Sequence, residues 1–313
     1  MVRLLEPRDL GGLANGARTC ETAALSAVAG SKTARCGGGV MSTRLHAMGF
    51  PAHWTPEVLA LVDTLAQSKS RLVGASKGNY RVWRSPHGAE LWFHYPQRVV
   101  RPAGKRQPDV TPDATPVLRP NSVTPFHRGL SNCTIKIGRY LTLDRANPLE
   151  GSCMAWLPAT GSGSREQVIV LELAPFGLHP LRTPPHSTTA QIVCFAHALW
   201  AYPDAASYSV QTPGNRRIHA GSFSPVTEAD VPEVKLTYSS SPITLGLATG
   251  IVRRAIRHAN PETGEPYYWL LLETKRGTFD VVANPTSMSG DVSEGNIAQV
   301  CGSFVARLAG TPV

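Results

Sequence analysis

Chemistry-bearing motifs are what this 313-residue sequence has least of. It contains no Cys-x-x-Cys pair. Its six cysteines (Cys20, Cys36, Cys133, Cys153, Cys194, Cys301) are scattered without regular spacing. That pattern excludes a disulfide scaffold and reads as free, mostly buried thiols in a reducing compartment, so the expected location is cytoplasmic. No apolar run approaches the ~20 residues needed to span a bilayer. The stretch Ala23 to Gly30 (AALSAVAG) is too short and too weakly hydrophobic for a signal-peptide core. There is no G-x-S-x-G elbow and no H-E-x-x-H. Gly74 to Asn79 (GASKGN) lacks the G-K-[ST] ending of a phosphate loop. Acidic residues are few and dispersed, with no close pair suited to acid–base work. These absences lower the expectation of an enzyme, and no cofactor is implied.

What the chain does have is glycine and proline, 28 and 26 residues, with a 42% hydrophobic content sufficient for a core. Short strands between Gly/Pro turns predict a mainly β fold with minor α. A repeat is also visible. Ala146 to Leu157 (ANPLEGSCMAWL) returns as Ala259 to Leu270 (ANPETGEPYYWL), sharing A-N-P-x-x-G-x-x-x-x-W-L. Each copy follows a long β-branched segment with a central glycine, Gly138 or Gly250. The expected unit is therefore a bent strand, an Asn-Pro turn and a Trp-Leu strand, with Asn147 matching Asn260 and Trp156 matching Trp269. Gly151 and Gly264 would take positive φ. Two related small β-barrel units, OB-like or SH3-like, or halves of a sandwich, fit this order. The second unit shows four strands by pattern, whereas an OB-fold needs five.

The expected domain plan runs as follows: residues 1–40 a disordered extension, or sequence upstream of a start at Met41 or Met48; 41–97 a helix plus hairpin module; 98–125 a Pro-rich linker; 126–240 and 241–313 the two β units. Within the module, Thr55 caps a helix starting at Pro56, with Val58, Leu61, Val62 and Leu65 on one face. Gly78 to Pro96 reads as two strands around a Pro86-His87-Gly88 turn. If Ser85 opposes Ala89, then Arg84 faces Glu90, Val82 faces Trp92 and Trp83 faces Leu91.

The formal charge of +9 is uneven. Residues 1–120, 121–243 and 244–313 carry +8, +1 and 0. Lys69 to Arg106 holds nine basic residues against one acid, Glu90. Basic and aromatic side chains interleave here, as phosphate contact and base stacking require. Candidate contacts are Lys77, Tyr80, Arg81, Trp83, Arg84, Trp92, Arg98 and Arg101. Arg253, Arg254 and Arg257 lead into the second repeat, where Tyr267 and Trp269 share a strand face. Strands favour aromatics whatever they bind, so the same residues also read as a core face. Cys194 and His197, with His179 and His186 nearby in sequence, form a conceivable metal-ligand set without zinc-finger spacing.

The resulting expectation is a non-enzymatic protein binding single-stranded or non-specific nucleic acid through residues 69–106. The alternative is a structural or assembly protein whose β units contact a protein partner or a second copy. A third reading is a metal-dependent enzyme around Cys194 and His197. No membrane association is expected.

Overall fold

A computed structural model describes residues 38–53, 55–97, 119–144, 147–158, 166–211, 219, 221–225 and 244–312. The fold is mainly β, with two sheets and a small helical layer ahead of them. Among the described residues no helix is long and apolar enough to cross a membrane.

The chain opens with α1 (Gly38–Ala47) and α2 (Pro56–Ser68). Helix α2 starts where local chemistry predicts: the Thr55 hydroxyl accepts from the Val58 amide at 3.4 Å, and Pro56 occupies the first turn. Val58, Val62 and Leu65 are buried on one face. A four-stranded antiparallel sheet follows in chain order: β1 (Arg71–Ala75), β2 (Gly78–Arg84), β3 (Ala89–Pro96) and β4 (Ser122–His127). The β2–β3 register is the one expected from the turn, with Val82, Trp83 and Arg84 opposite Trp92, Leu91 and Glu90. The last four residues of the segment expected as a linker, 122–125, lie in β4. Residues 98–118 fall outside the described residues, as do 1–37.

Alternation gives this sheet two working faces. Trp83, Leu91 and Phe93 share the face toward the helices, where Trp83 meets Phe50 edge-on at 6.0 Å. Tyr80, Trp92 and Thr124 share the other face, toward the second sheet, where the Tyr80 hydroxyl donates to the Leu149 carbonyl at 2.6 Å. One apolar cluster runs from α1 and α2 through the sheet to Leu149, Val193, Trp269 and Val305.

The second sheet is built by two runs of three strands, a 3-10 turn and a long strand. The first run is β5 (Cys133–Asp144), β6 (Asn147–Leu157), β7 (Gln167–Leu173) and β8 (His186–Tyr202). Helix α3 (Ala205–Gln211) and β9 (Phe223–Pro225) intervene. The second run is β10 (Leu245–Ala259), β11 (Pro266–Thr274), β12 (Gly277–Ala283), the short β13 (Met288–Ser289) and β14 (Ile297–Leu308). β8 and β14 pair antiparallel along twelve residues of β14. Each also borders the other run: β7 lies parallel to β14, and β12 lies parallel to β8. The pairings therefore close two five-stranded rings, β5-β6-β7-β14-β8 and β10-β11-β12-β8-β14, which share β8 and β14. A unit that counts four strands by pattern gains its fifth from the other unit.

The ladders define an approximate two-fold relation. Val193 pairs with Val305, Asp280 lies beside Val193, and Glu172 lies beside Val305. Asp280 and Glu172 are thus equivalent. Ser152 opposite Glu172 then matches Leu271 opposite Asp280, which leaves Trp156 and Trp269 out of register. The first hairpin closes with Asp144 opposite Asn147, and the second with Ala259 opposite Pro266. The expected matches of Asn147 with Asn260 and Trp156 with Trp269 fail by the register, while the two-unit architecture stands on the topology.

The recurring string has a local cause instead. Asn147, Asn260 and Asn284 each precede a proline, and each side-chain oxygen accepts the amide two residues on, at 3.3, 2.9 and 2.9 Å. A third Ala-Asn-Pro at 283–285 makes the same Asx turn. All three asparagines are buried, and each donates back to the N-terminal module, to Ser122, to the Met48 carbonyl and to the His46 carbonyl. Gly264 has φ 76° as expected, but Gly151 sits inside β6 against Phe176 rather than in a turn. Gly138 is required by contact: a Cβ there would stand 2.1 Å from the Trp156 ring.

Candidate anion-binding surface

Three buried carboxylates lie where the N-terminal sheet meets the two rings, and they are compensated very differently. Asp280 is held by neutral donors: the Leu130 and Ser131 amides at 2.9 and 3.1 Å, the Ser131 hydroxyl at 2.7 Å, Gln191 at 2.8 Å and the Trp269 indole at 2.9 Å. Its counterpart Glu172 takes one cation, Arg44 of α1, and the Thr124 hydroxyl at 3.0 Å. Glu90 on β3, 0% exposed, takes three. Arg84 and Arg128 both reach Glu90 Oε1 through Nε, at 3.0 and 3.1 Å, while Arg307 of β14 donates to Oε2. The Trp92 indole adds a bond of 2.8 Å.

Local register explains this convergence. Arg84 is cross-strand to Glu90, Phe126 is the next neighbour on β4, and Arg128 follows two residues later. The Arg307 guanidinium carbon lies over Phe126, 3.9 Å from its centroid, and 5.5 Å from that of Trp92. Burial lowers the Arg307 pKa, Glu90 restores part of that, and Arg84 and Arg128 oppose it as like charges. Three guanidinium groups on one carboxylate leave a local excess of two positive charges. Arg307 is closed in, but the side chains of Arg84 and Arg128 are 27% and 49% exposed. Neither side chain makes another ion pair or hydrogen bond among the described residues. Their terminal nitrogens, Nη1 and Nη2, are therefore open donors among the described residues.

The aromatic half of the expected nucleic-acid surface is interior. Tyr80, Trp83 and Trp92 are buried, and each polar end is spent inside the protein: Tyr80 on Leu149 and Gly177, Trp83 on Glu262 at 3.2 Å, Trp92 on Glu90. Burying each ring contributes about 2–3 kcal/mol to folding. Stacking one base returns about 1–3 kcal/mol. Extracting three core rings to stack bases would therefore give no net gain, and the core role wins. The cations divide. Arg81 donates to the Gln67 carbonyl at 3.0 Å, Lys69 pairs with Glu262 at 2.6 Å, and Lys77 is exposed. Arg98 and Arg101 lie outside the described residues. Arg253 pairs with Glu273, whereas Arg254 and Arg257 are exposed with no ion pair among the described residues. Beyond Val252, whose backbone still bonds Gly295 and Asn296, β10 pairs among the described strands with β11 alone, so these arginines sit on a sheet edge. Charges there also deter edge-to-edge pairing.

The conceivable metal ligands are not gathered. Cys194 is fully buried, His197 lies at a bulge in β8 and meets Ser303 at 2.9 Å, His179 meets Thr311, and His186 lies beside Tyr140. Among the described residues no group of three His, Cys, Asp or Glu side chains is placed to hold a metal ion. Cys194, His197, His179 and His186 are thus not brought together into one such group among the described residues.

A histidine cluster does form beside the arginines. His87 stacks on His258 at 4.7 Å, and His127 stacks on Trp269 at 6.2 Å and meets Tyr267 edge-on at 6.1 Å. Burial holds His127 down at about 3, and its neighbours His258 and Arg128 push the same way against the nearby His87 carbonyl. His94, His179 and His197 are lowered to about 4, 3 and 4, again chiefly by burial.

Comparison of the chain with protein-family models, with curated proteins and with solved structures gave no match to any of them. Arg128 and Arg307 did not stand out in the sequence as site residues. A signal for Arg307 was available, since it is the one charged residue in β14, a strand buried at all twelve positions. A charge in such a strand demands a buried partner.

Proposed function

We propose that the protein binds nucleic acid without sequence preference, through contacts to backbone phosphates and not through base stacking. The observation that carries this reading is the edge of β10 beyond Val252, where Arg254 and Arg257 stand exposed and make no ion pair among the described residues. Arg254 lies opposite Leu271 and Arg257 opposite Tyr268, so the two point to opposite faces of the ribbon. That arrangement suits a strand edge laid along a phosphodiester backbone, because guanidinium groups on both sides can engage successive phosphates.

The test is fluorescence anisotropy with a single-stranded oligonucleotide across a salt series. Each phosphate neutralised contributes about 0.7 to the slope of log affinity against log salt. Arg254→Gln/Arg257→Gln should therefore weaken binding and flatten the slope by about 1.4. No binding by the unaltered protein, or a variant with the original slope, overturns the reading.

A second reading, protein–protein pairing, is supported by β1. It is an outer strand of its sheet, and Leu72 on it is 59% exposed. Light scattering on the full chain tests it, and a strict monomer at high concentration removes it.

A further inference from the structure

We propose that Arg84 and Arg128 form a binding site for a single phosphate group, whether from inorganic phosphate or from a phosphomonoester end. The site shares its ligand chemistry with the proposed function but none of its residues, and it stands or falls independently of the β10 edge.

Two guanidinium groups meet one carboxylate oxygen through Nε, which holds them close together, and neither group's Nη nitrogens make a hydrogen bond among the described residues. Each fork offers two N–H-bearing nitrogens, the geometry that matches phosphate oxygens in pairs. The anchoring is rigid. Glu90 is fully buried and is fixed from behind by Arg307 and Trp92. Arg84 also lies 5.8 Å from the Trp92 ring centroid, which restricts its rotamers.

Charge points the same way. Arg84, Arg128 and Arg307 face one carboxylate, and the neighbouring ionisable groups His87, His127 and His258 supply no negative charge. A phosphate bound across both forks cancels the excess, and it does so where the arginines meet solvent. The Gly88 carbonyl accepts from the Arg128 backbone amide at 2.7 Å, which ties the β2–β3 turn to the start of the Arg128 segment. The cradle is thus set before a ligand arrives, so little ordering entropy opposes binding.

The experiment uses the full chain and reads arginine modification by phenylglyoxal, residue by residue, with mass spectrometry. Arg84 and Arg128 should be protected by millimolar inorganic phosphate and not by chloride at the same ionic strength, while Arg254 and Arg257 change equally in both. Calorimetry with phosphate should show saturable binding that Arg84→Gln/Arg128→Gln weakens about tenfold or more, the loss of at least one charge-assisted hydrogen bond. That variant keeps Glu90 paired with Arg307. Because the protection measurement uses the unaltered protein, it decides the question even if the variant folds poorly. A short oligonucleotide with and without a 5′-phosphate separates the sources: stronger protection by the phosphorylated form assigns the site to chain ends, and equal protection by free phosphate assigns it to the small anion. Absence of phosphate-specific protection at Arg84 and Arg128 overturns the proposal even if oligonucleotides bind. Protection without any oligonucleotide binding sustains it while overturning the proposed function.

Discussion

Replacing Glu90 by Gln removes the one negative charge on which Arg84, Arg128 and Arg307 converge. Shape is nearly conserved, and the amide oxygen can still accept from Trp92 and one arginine. The loss is therefore electrostatic, and it falls on Arg307, 8% exposed between Phe126 and Trp92, because Arg84 and Arg128 can turn to water. Removing one partner of a buried ion pair costs about 3–5 kcal/mol, because the remaining charge stays desolvated. At about 2–4 °C per kcal/mol for a protein of roughly 150–250 residues, the melting temperature should fall by roughly 10 °C. Urea unfolding followed by tryptophan fluorescence measures the free energy directly. The double variant Glu90→Gln/Arg307→Met removes both partners and leaves an apolar chain on the Phe126 ring, so it should recover part of the loss. The two sites should couple by more than about 1 kcal/mol in the resulting cycle. A single-variant loss below about 1 kcal/mol, or strictly additive effects, would refute the view that Arg307 depends on Glu90.

The elements governed by neighbouring residues were legible in the sequence. Thr55-Pro56 announces α2, and the Pro86-His87-Gly88 turn sets the β2–β3 register that brings Arg84 to Glu90. The four strands that pattern gives the second unit all form, with only the two-residue β13 added. Helix α1 was not legible, since its described portion begins at Gly38-Gly39 and carries no apolar period. The shared rings were also hidden. Counting strands is a local operation, whereas closure depends on β7 meeting β14 and β12 meeting β8 across long stretches of chain. The Ala-Asn-Pro repeat misled in a specific way: it encodes an Asx turn used three times to dock the N-terminal module, not an equivalent position in two barrels.

The candidate surface was half legible for a related reason. Composition exposed the N-terminal basic excess but could not say which cations have partners. Lys69 spends its charge on Glu262, and Arg81 donates to the Gln67 carbonyl. Arg128 and Arg307, from a loop and from the last strand, instead complete a site with Arg84. The aromatics alternating with these arginines looked available for stacking because alternation marks two faces without saying which is wet. Here both faces are covered, one by helices and the other by the rings.

Four further outcomes are expected. Acidification should destabilise the fold: His94, His127, His179 and His197 are lowered to between about 3 and 4, so their contribution is complete above the unfolded value of 6.5 and is lost as pH falls toward 4. Glu150, raised by burial and by Glu172, works in the opposite direction, so urea unfolding between pH 7 and 4.5 should report a net proton uptake dominated by the four histidines, and a flat profile would contradict the burial of these rings. Tyr80→Phe leaves the Gly177 amide and the Leu149 carbonyl without their partner and should cost about 1–3 kcal/mol by the same assay, against near-zero for a solvated hydroxyl. Gly138→Ala forces a methyl group into the Trp156 ring and should cost about 1–3 kcal/mol with a shift in tryptophan emission, whereas Gly264→Ala, with open space around it, should show only the smaller penalty of its positive φ. Finally, residues 244–312 produced alone should not fold cooperatively: without β8 the second ring has no neighbour for β12 on one side and loses the whole antiparallel edge of β14, exposing Val300, Phe304 and Ala306 to water. A sharp unfolding transition with protected amides in β14 of that fragment would show that the four strands close on themselves, and the shared pair would then be an embellishment of two separable barrels and not the condition for either.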